Sequence, residues 1–349
     1  MSSMDPWEFS TWGVAPLAER VHEVESLDDA LSLGVSLEPL AVALGQRSAP
    51  LLDALATLGS ADLSVARAVE PHLDATAILA QAARQAVEHP NAPDGATWGV
   101  FAASPPGQGV RASHERTGDG WRLRGSKPWC SLADRVSHAL VTASDDEGRQ
   151  GLFAVALAGV DFDASTWQPL GLREITTGTL GFDGQQAQPV GGPGWYLERP
   201  GFSWGGVCVA AVWFGAAAAL AGSLFEAARR RHPDQIALHH IGTCDVLLHG
   251  AHAVLRDAAE TMDDPDCSPA DSVIVAARVR AHVASVAEQV MTTVGHALGP
   301  GPLALDLPHL TRVADLTLYL RQHHAERDLA RLGQLVADDA AQPDAPVSR

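Results

Sequence analysis

Apolar residues along this chain recur with two different periods, and the change of period divides it. From Val21 to Pro90 the spacing is three and four residues. The clearest run is ADLSVARAVEPHLDATAILAQAARQAVEH, in which Leu63, Ala66, Val69, Leu73, Ala77 and Ala80 make one apolar helix face. The segments LDDALSLG, PLAVALG and PLLDALATLG before it read the same way. Gly34, Gly45 and Gly59 stand where helices should stop. Near Trp98 the period drops to two. Val100 and Ala102 alternate with their neighbours, as do Val110, Ala112 and His114, and Gly118-Asp119-Gly120 has the chemistry of a hairpin turn. Strands are expected at 98–104, 109–116, 120–125, 136–143, 151–157 and 177–183. Short strands at this spacing predict a β-sandwich or a small barrel.

From Trp195 the helical period returns for almost 150 residues. Helices are expected at about 204–231, 234–264, 268–298 and 306–338. The breaks fall at His232-Pro233, Asp263-Asp264-Pro265-Asp266 and Gly299-Pro300-Gly301-Pro302. Four long helices with short connections predict an antiparallel bundle. In the last of them Ala325, Leu329, Leu332 and Val336 mark the face expected to be buried. The expected organisation is a shortened helical domain over 1–97, a β-domain over 98–194 and a four-helix bundle over 195–338. His89 to Gly95 is the first linker, and Gly191-Gly192-Pro193-Gly194 closes the β-domain. The acids, alanines and prolines of 339–349 predict a disordered tail. No internal repeat is visible.

Composition narrows the function classes. The chain has 349 residues, 46% of them hydrophobic and 19% charged, which suits a folded protein with sizeable cores. Its net charge is −18, and Arg229-Arg230-Arg231 is the one tight basic cluster. That balance argues against nucleic acid and anionic membranes as partners, since both need basic patches. The four cysteines are scattered and form no CxxC, which points to a reducing cytoplasm rather than to disulfides or zinc. The opening residues lack the basic and apolar blocks of a secretory signal. Gly201 to Phe225 is uncharged and long enough to cross a bilayer, but it is rich in Ala and Gly and stands alone. A central helix buried on all sides is the expected reading.

Two motifs carry a resemblance. Phe101-Ala102-Ala103-Ser104-Pro105-Pro106-Gly107-Gln108-Gly109-Val110 is similar to F-A-L-T-E-P-G-A-G-S. Gly125-Ser126-Lys127-Pro128-Trp129-Cys130-Ser131 is similar to a strand that carries W-I-T or W-I-S after G-x-K. Both belong to the middle β-domain of the acyl-CoA dehydrogenase superfamily, and their order and spacing agree with it. The resemblance covers most of the chain and implies an α+β multidomain fold of helices, β-domain and four-helix bundle. It also implies FAD held between β-domain and bundle, an acyl-CoA or acyl-carrier substrate, and a homo-oligomer or a hetero-oligomer with a homologous subunit.

The resemblance assigns roles by position. Ser104 would face the flavin edge. Trp129 and Ser131 would pack beside the ring and hydrogen-bond near N5, with Cys130 between them turned to the other face as a buried small side chain. Arg229 matches the arginine that reaches the FAD pyrophosphate of a neighbouring subunit, a group whose charge and fork suit a diphosphate. An arginine-rich helix end favoured by the helix dipole accounts for it equally well. Gly295 belongs to Gly295-His296-Ala297-Leu298-Gly299, which is similar to the family's G-G-x-G-Y. Val110 and Ala325 stand where the family has hydroxyl side chains.

The glutamate base is missing at both of the family's positions. One arrangement places it eight residues after the aspartate of an Arg-Asp pair; Arg312-x-x-Asp315 is the counterpart, and eight residues on is His323. The other places it on the first bundle helix, about 26 residues before the arginine, at Ser203. Three readings follow. His323, or Glu326 one turn away, replaces the base in a thioester dehydrogenase, as a histidine of near-neutral pKa can. The scaffold serves instead a flavin-dependent monooxygenase that needs no such glutamate. Or the chain is a catalytically silent subunit paired with an active homologue. His324 and Asp328 are spaced to pair on a helix surface. Neither histidine pair, 239–240 or 323–324, has a carboxylate at ligand spacing in an HExxH-like arrangement, so no metal is expected.

Overall fold

The computed structural model describes residues 15–103, 109–114, 120–230 and 232–341. Ser104 and most of the turn at 118–120 lie outside them.

The described part opens with α1 (Ala15–His22), α2 (Leu27–Val42), α3 (Ala49–Ala61) and α4 (Leu63–Arg84). Capping fixes where two of them start: Ser26 accepts from Asp29 N for α2, and Asp62 accepts from Ser64 N and Val65 N for α4. Strands follow: β1 (Trp98–Phe101), β2 (Val110–His114), β3 (Trp121–Ser131), β4 (His138–Ser144), β5 (Gln150–Ala156), β6 (Asp161–Asp163) and β7 (Thr177–Val190). The order β4-β2-β3-β7-β5 returns to β4 through the β4–β5 pairing, so five strands close a small barrel. β1 lies parallel on β4, and β6 pairs with β7. Ala112, Leu123, Cys130, Val141, Phe153, Val155 and Phe182 fill its interior.

The C-terminal half contains the one-turn α5 (Trp195–Glu198), α6 (Gly201–Arg230), α7 (Gln235–Asp263), α8 (Pro269–Leu298), α9 (Pro300–Leu305), α10 (Leu307–Tyr319) and α11 (Glu326–Ala341). α6 is the central helix. It packs against α3, α7, α8 and α10, and 83% of its most apolar stretch is buried. A helix with the length and composition of a membrane span is here the core of the fold. Its contact with α3 is backbone to backbone. A Cβ at Gly215 would lie 1.9 Å from the Ala56 carbonyl oxygen, and one at Gly59 2.2 Å from that of Val212.

Several expected elements differ. β3 and β7 run well beyond the expected 120–125 and 177–183, and β6 is additional. The expected break at 299–302 holds α9 instead. The expected helix 306–338 is two helices. α10 ends in a 3-10 turn at Leu320–Gln322, His323 is extended, and Ala325 is left-handed at φ 46. Asp328 then accepts from His324 N at 3.0 Å, serving the first turn of α11. His324 and Asp328 therefore do lie together, but across a helix start rather than along one helix. The expected buried face of α11 is not fully covered by the described residues: Leu329 is 52% exposed, Val336 is also exposed, and Leu332 and Ala325 are half-buried. α11 continues to Ala341, so the expected tail is helical at its start. Residues 342–349 lie outside the described part.

Candidate functional site

A cavity of about 460 Å³ opens where α4, the end of β3, the start of α6, the start of α8 and the α10–α11 junction meet. Its volume is that of a small-molecule site.

α4 supplies its charged wall. Arg67, Glu70, Pro71 and Asp74 follow one another at helical spacing and all line the cavity. The neighbouring face of the same helix, with Ala66, Val69, Leu73 and Ala77, is buried in the helical core. Arg67 Nη2 donates to Ser131 Oγ at 3.1 Å, and its Nη1 lies 4.0 Å from Glu70 Oε2. The Tyr319 hydroxyl lies 3.5 Å from the same carboxylate oxygen. Burial raises the Glu70 carboxyl to about 7, against the attraction of Arg67. Asp74 is also shifted upward by burial, offset by the charge of Arg199.

The barrel contributes Trp129 and Ser131. Lys127 pairs with Leu180 and Cys130 with Gly178, so Pro128 and Trp129 together face Thr179 across a β-bulge. Trp129 takes φ 63, which turns its indole out of the strand. It is 65% exposed and lines the cavity. Cys130 points into the barrel and is wholly buried, its thiol pushed up to about 12 by desolvation. Beneath the bulge, Lys127 is fully buried and donates to the carbonyl and hydroxyl of Thr142. Ser131 Oγ is 2.9 Å from Thr177 Oγ1.

The bundle completes the walls. Ser203, Gly205, Gly206 and Val209 come from α6, and Arg280 from α8. Arg280 lies 4.6 Å over the Trp213 ring and donates to the Gln322 carbonyl. That bond holds the α10–α11 junction and, with it, His323. Arg312 and Asp315 anchor the same segment: Arg312 donates to the carbonyls of Ser60 and Ala61, and Asp315 accepts from Leu172 N. Within the cavity, the His323 side chain is only 10% exposed. Its Nε2 has no hydrogen-bond partner among the described residues and lies 3.9 Å from Asp328. Burial lowers its pKa, so the ring is neutral at pH 7.

The residues singled out from sequence thus separate. Trp129, Ser131 and His323 line one cavity, joined by Ser203. Glu326 lies outside it, exposed on the first turn of α11, although Asp328, Arg331 and Leu335 of the same helix line the cavity. Arg229 is at the far end of α6, about 40 Å along the helix from Ser203 at 1.5 Å per residue. Gly295, near the end of α8, is roughly 22 Å beyond Arg280 on the same measure. Neither can touch a ligand in this cavity. Glu70 and Asp74 are the additions that sequence reading missed. Their signal was a charged stripe at 67, 70 and 74 on a helix otherwise read for its apolar face.

The sequence matches no protein-family model and no curated protein. The fold does match solved structures. TdsC from Paenibacillus sp. A11-2, in complex with FMN and indole, superposes with a TM-score of 0.75 at 16% identity over 95% of each chain. KijD3, in complex with FMN and dTDP-3-amino-2,3,6-trideoxy-4-keto-3-methyl-D-glucose, gives 0.76 at 17% identity over 95% of this chain and 93% of its own. Glutaryl-CoA dehydrogenase from Mycobacterium smegmatis gives 0.73 at 17% identity over 95% of both. With its helical first part, small barrel and helical bundle in the same order, the chain has the acyl-CoA dehydrogenase fold.

Proposed function

We propose that this chain is a flavin-dependent oxidoreductase that uses reduced flavin and dioxygen to oxygenate a small substrate. One observation carries the reading. The two positions that the sequence resemblance assigns to the glutamate of a thioester dehydrogenase carry Ser203 and His323, and both residues line a single cavity.

The residues present fit a flavin. Trp129 offers an exposed, rigid indole face against which an aromatic ring system can stack. Ser131, held by Arg67 and Thr177, offers a hydroxyl beside it. FMN in the TdsC and KijD3 complexes supports the choice of a flavin. For FAD, Arg229 and Gly295 would serve the dinucleotide half in a neighbouring copy, since they lie too far from this chain's own cavity. Bound reduced flavin supplies two electrons to dioxygen, so that one oxygen atom enters the substrate and the other leaves as water. The chain's own part is to exclude bulk water and hold protons. His323, neutral and nine-tenths buried, can donate or accept at Nε2. Glu70, near neutrality, can take a proton from the substrate and return it.

Glu70 also favours a second reading, FAD-dependent oxidation of an acyl thioester at Cα–Cβ, with this carboxylate replacing the missing glutamate. The two are separated by loading the protein with FMN or FAD. Oxidised flavin that no acyl-CoA bleaches, together with substrate-dependent uptake of labelled oxygen by the reduced complex, is the expected result. Bleaching by an acyl-CoA that is lost in Glu70→Gln would establish the dehydrogenase instead. Failure to retain either flavin would turn the search to a partner subunit.

A further inference from the structure

The charged groups of the cavity are not equally provided for. Arg67 is engaged by Ser131 and Glu70, and Arg280 by the Gln322 carbonyl and the Trp213 ring. Glu70 has Arg67 and the Tyr319 hydroxyl near it. Asp74 accepts no hydrogen bond among the described residues, although it is half-buried and lines the cavity. Its nearest compensating charge, Arg199, donates instead to Gln81 Oε1 at 2.8 Å and lies 5.2 Å from the Tyr196 ring centre. A half-buried carboxylate without a protein donor is only partly solvated, and a ligand that brings a donor offsets part of that loss.

The ground beside Asp74 is kept clear. Gly205 and Gly206 sit inside α6, where glycine is a poor helix former. A Cβ at Gly205 would stand 3.2 Å from Asp74 Oδ1. A second polar atom, from a different element, faces the same volume without a partner: Nε2 of His323. The cavity therefore presents an open carboxylate and a neutral imidazole; of its arginines, Arg280 donates to the Gln322 carbonyl, Arg67 donates through Nη2 to Ser131 with Nη1 4.0 Å from Glu70, and Arg331 is exposed at the edge.

We propose that the substrate enters this cavity as an amine, its protonated nitrogen seated on the Asp74 carboxylate beside Gly205. The inference rests on the oxygenase reading for what happens next, but the seat is testable by binding alone. Benzylamine, benzyl alcohol and benzoate differ in charge at nearly constant shape. Calorimetric titration of each into the purified protein should show benzylamine binding about 10-fold more tightly than the alcohol, with benzoate weakest, the gain of a charge-assisted over a neutral hydrogen bond. Asp74→Asn should remove the preference. Gly205→Ala, which keeps the charge and strengthens the helix, should weaken benzylamine more than the alcohol, so the proposal stays testable if the Asn variant folds poorly. Equal binding of the three probes, preference for benzoate, an undiminished preference in Asp74→Asn, or no binding at millimolar concentration would overturn the seat. Oxygen uptake by the reduced flavin complex is read separately. Uptake supported by benzyl alcohol but not by benzylamine would also overturn the seat while leaving the oxygenase reading intact. Selective amine binding would uphold it even where no uptake follows, and that result would count against the oxygenase reading alone.

Discussion

Arg67 donates to Ser131 at 3.1 Å, and through that bond the N-terminal helices meet the barrel at the cavity wall. The same guanidinium stands 4.0 Å from Glu70 and opposes the upward pull of burial on that carboxyl. One side chain therefore sets both the position of a hydroxyl and the proton affinity of an acid. A carboxylate that accepts a proton must be ionised first, so turnover should climb as pH rises through about 7. Glu70→Gln should flatten that limb. Arg67→Met removes the opposing charge, so its midpoint should move to higher pH. A pH–rate profile of the three proteins decides this; a midpoint unmoved by Arg67→Met would remove Glu70 from the proton path.

Trp129 is exposed because a bulge and a positive φ turn it there. Its removal should therefore cost little folding stability and much cofactor affinity. Trp129→Ala should leave the melting temperature within a degree or two while weakening flavin binding about 10-fold, the worth of one aromatic stack. Flavin fluorescence quenching measures the affinity. Unchanged affinity with a large drop in melting temperature would make Trp129 a packing residue.

The backbone contact between α3 and α6 has no room for a methyl group. With a Cβ 1.9 Å from the Ala56 carbonyl oxygen, Gly215→Ala must push the central helix away from α3. The expected loss is about 3 kcal/mol, at the upper end for overpacking. Denaturant unfolding at constant m-value would measure it. Gly205→Ala, by contrast, meets only a side-chain oxygen and should not destabilise.

These predictions draw unevenly on what the sequence displays. Among the described residues, hydrophobic period located every long helix and six of the seven strands, because each buries one face and period records that face. It fell short at β3 and β7. There Gly125 and Gly184 stand at the expected ends, yet the bulge and the flanking pairings carry the strands past them. It also carried the last helix through His323 to Ala325, where no glycine or proline marks the break. That break depends on the Asp328 cap and on seating His323 in the cavity, both tertiary facts. The same limit applies to the site. Ser203 and His323 are 120 residues apart, and only the fold brings them to one wall. Glu70 and Asp74 lay in plain view as charges on an apolar helix. Which of its faces met a cavity was invisible until the barrel was in place.

Asp53 carries the last prediction. It lies on α3, fully buried, with neither carboxylate oxygen hydrogen-bonded among the described residues. Burial raises its pKa from 3.8 to about 7. The folded protein therefore holds this proton more tightly than the unfolded chain does. Between pH 4 and 7 the folded state binds more protons, so Asp53 makes stability fall as pH rises through that window. The full effect is on the order of 4 kcal/mol at 1.36 kcal/mol per pH unit. His72 acts in the opposite sense: burial lowers its pKa to about 4, so its contribution is lost as pH falls from 6.5 toward 4. The two overlap, and wild-type stability alone cannot separate them. Asp53→Asn can, because it removes one titration and leaves the other. The variant should be several kcal/mol more stable than wild type at pH 8, and the difference should shrink toward zero near pH 4. Urea unfolding of both proteins across that range gives the difference directly. A difference that is constant with pH would mean that Asp53 does not change its proton in the folded state.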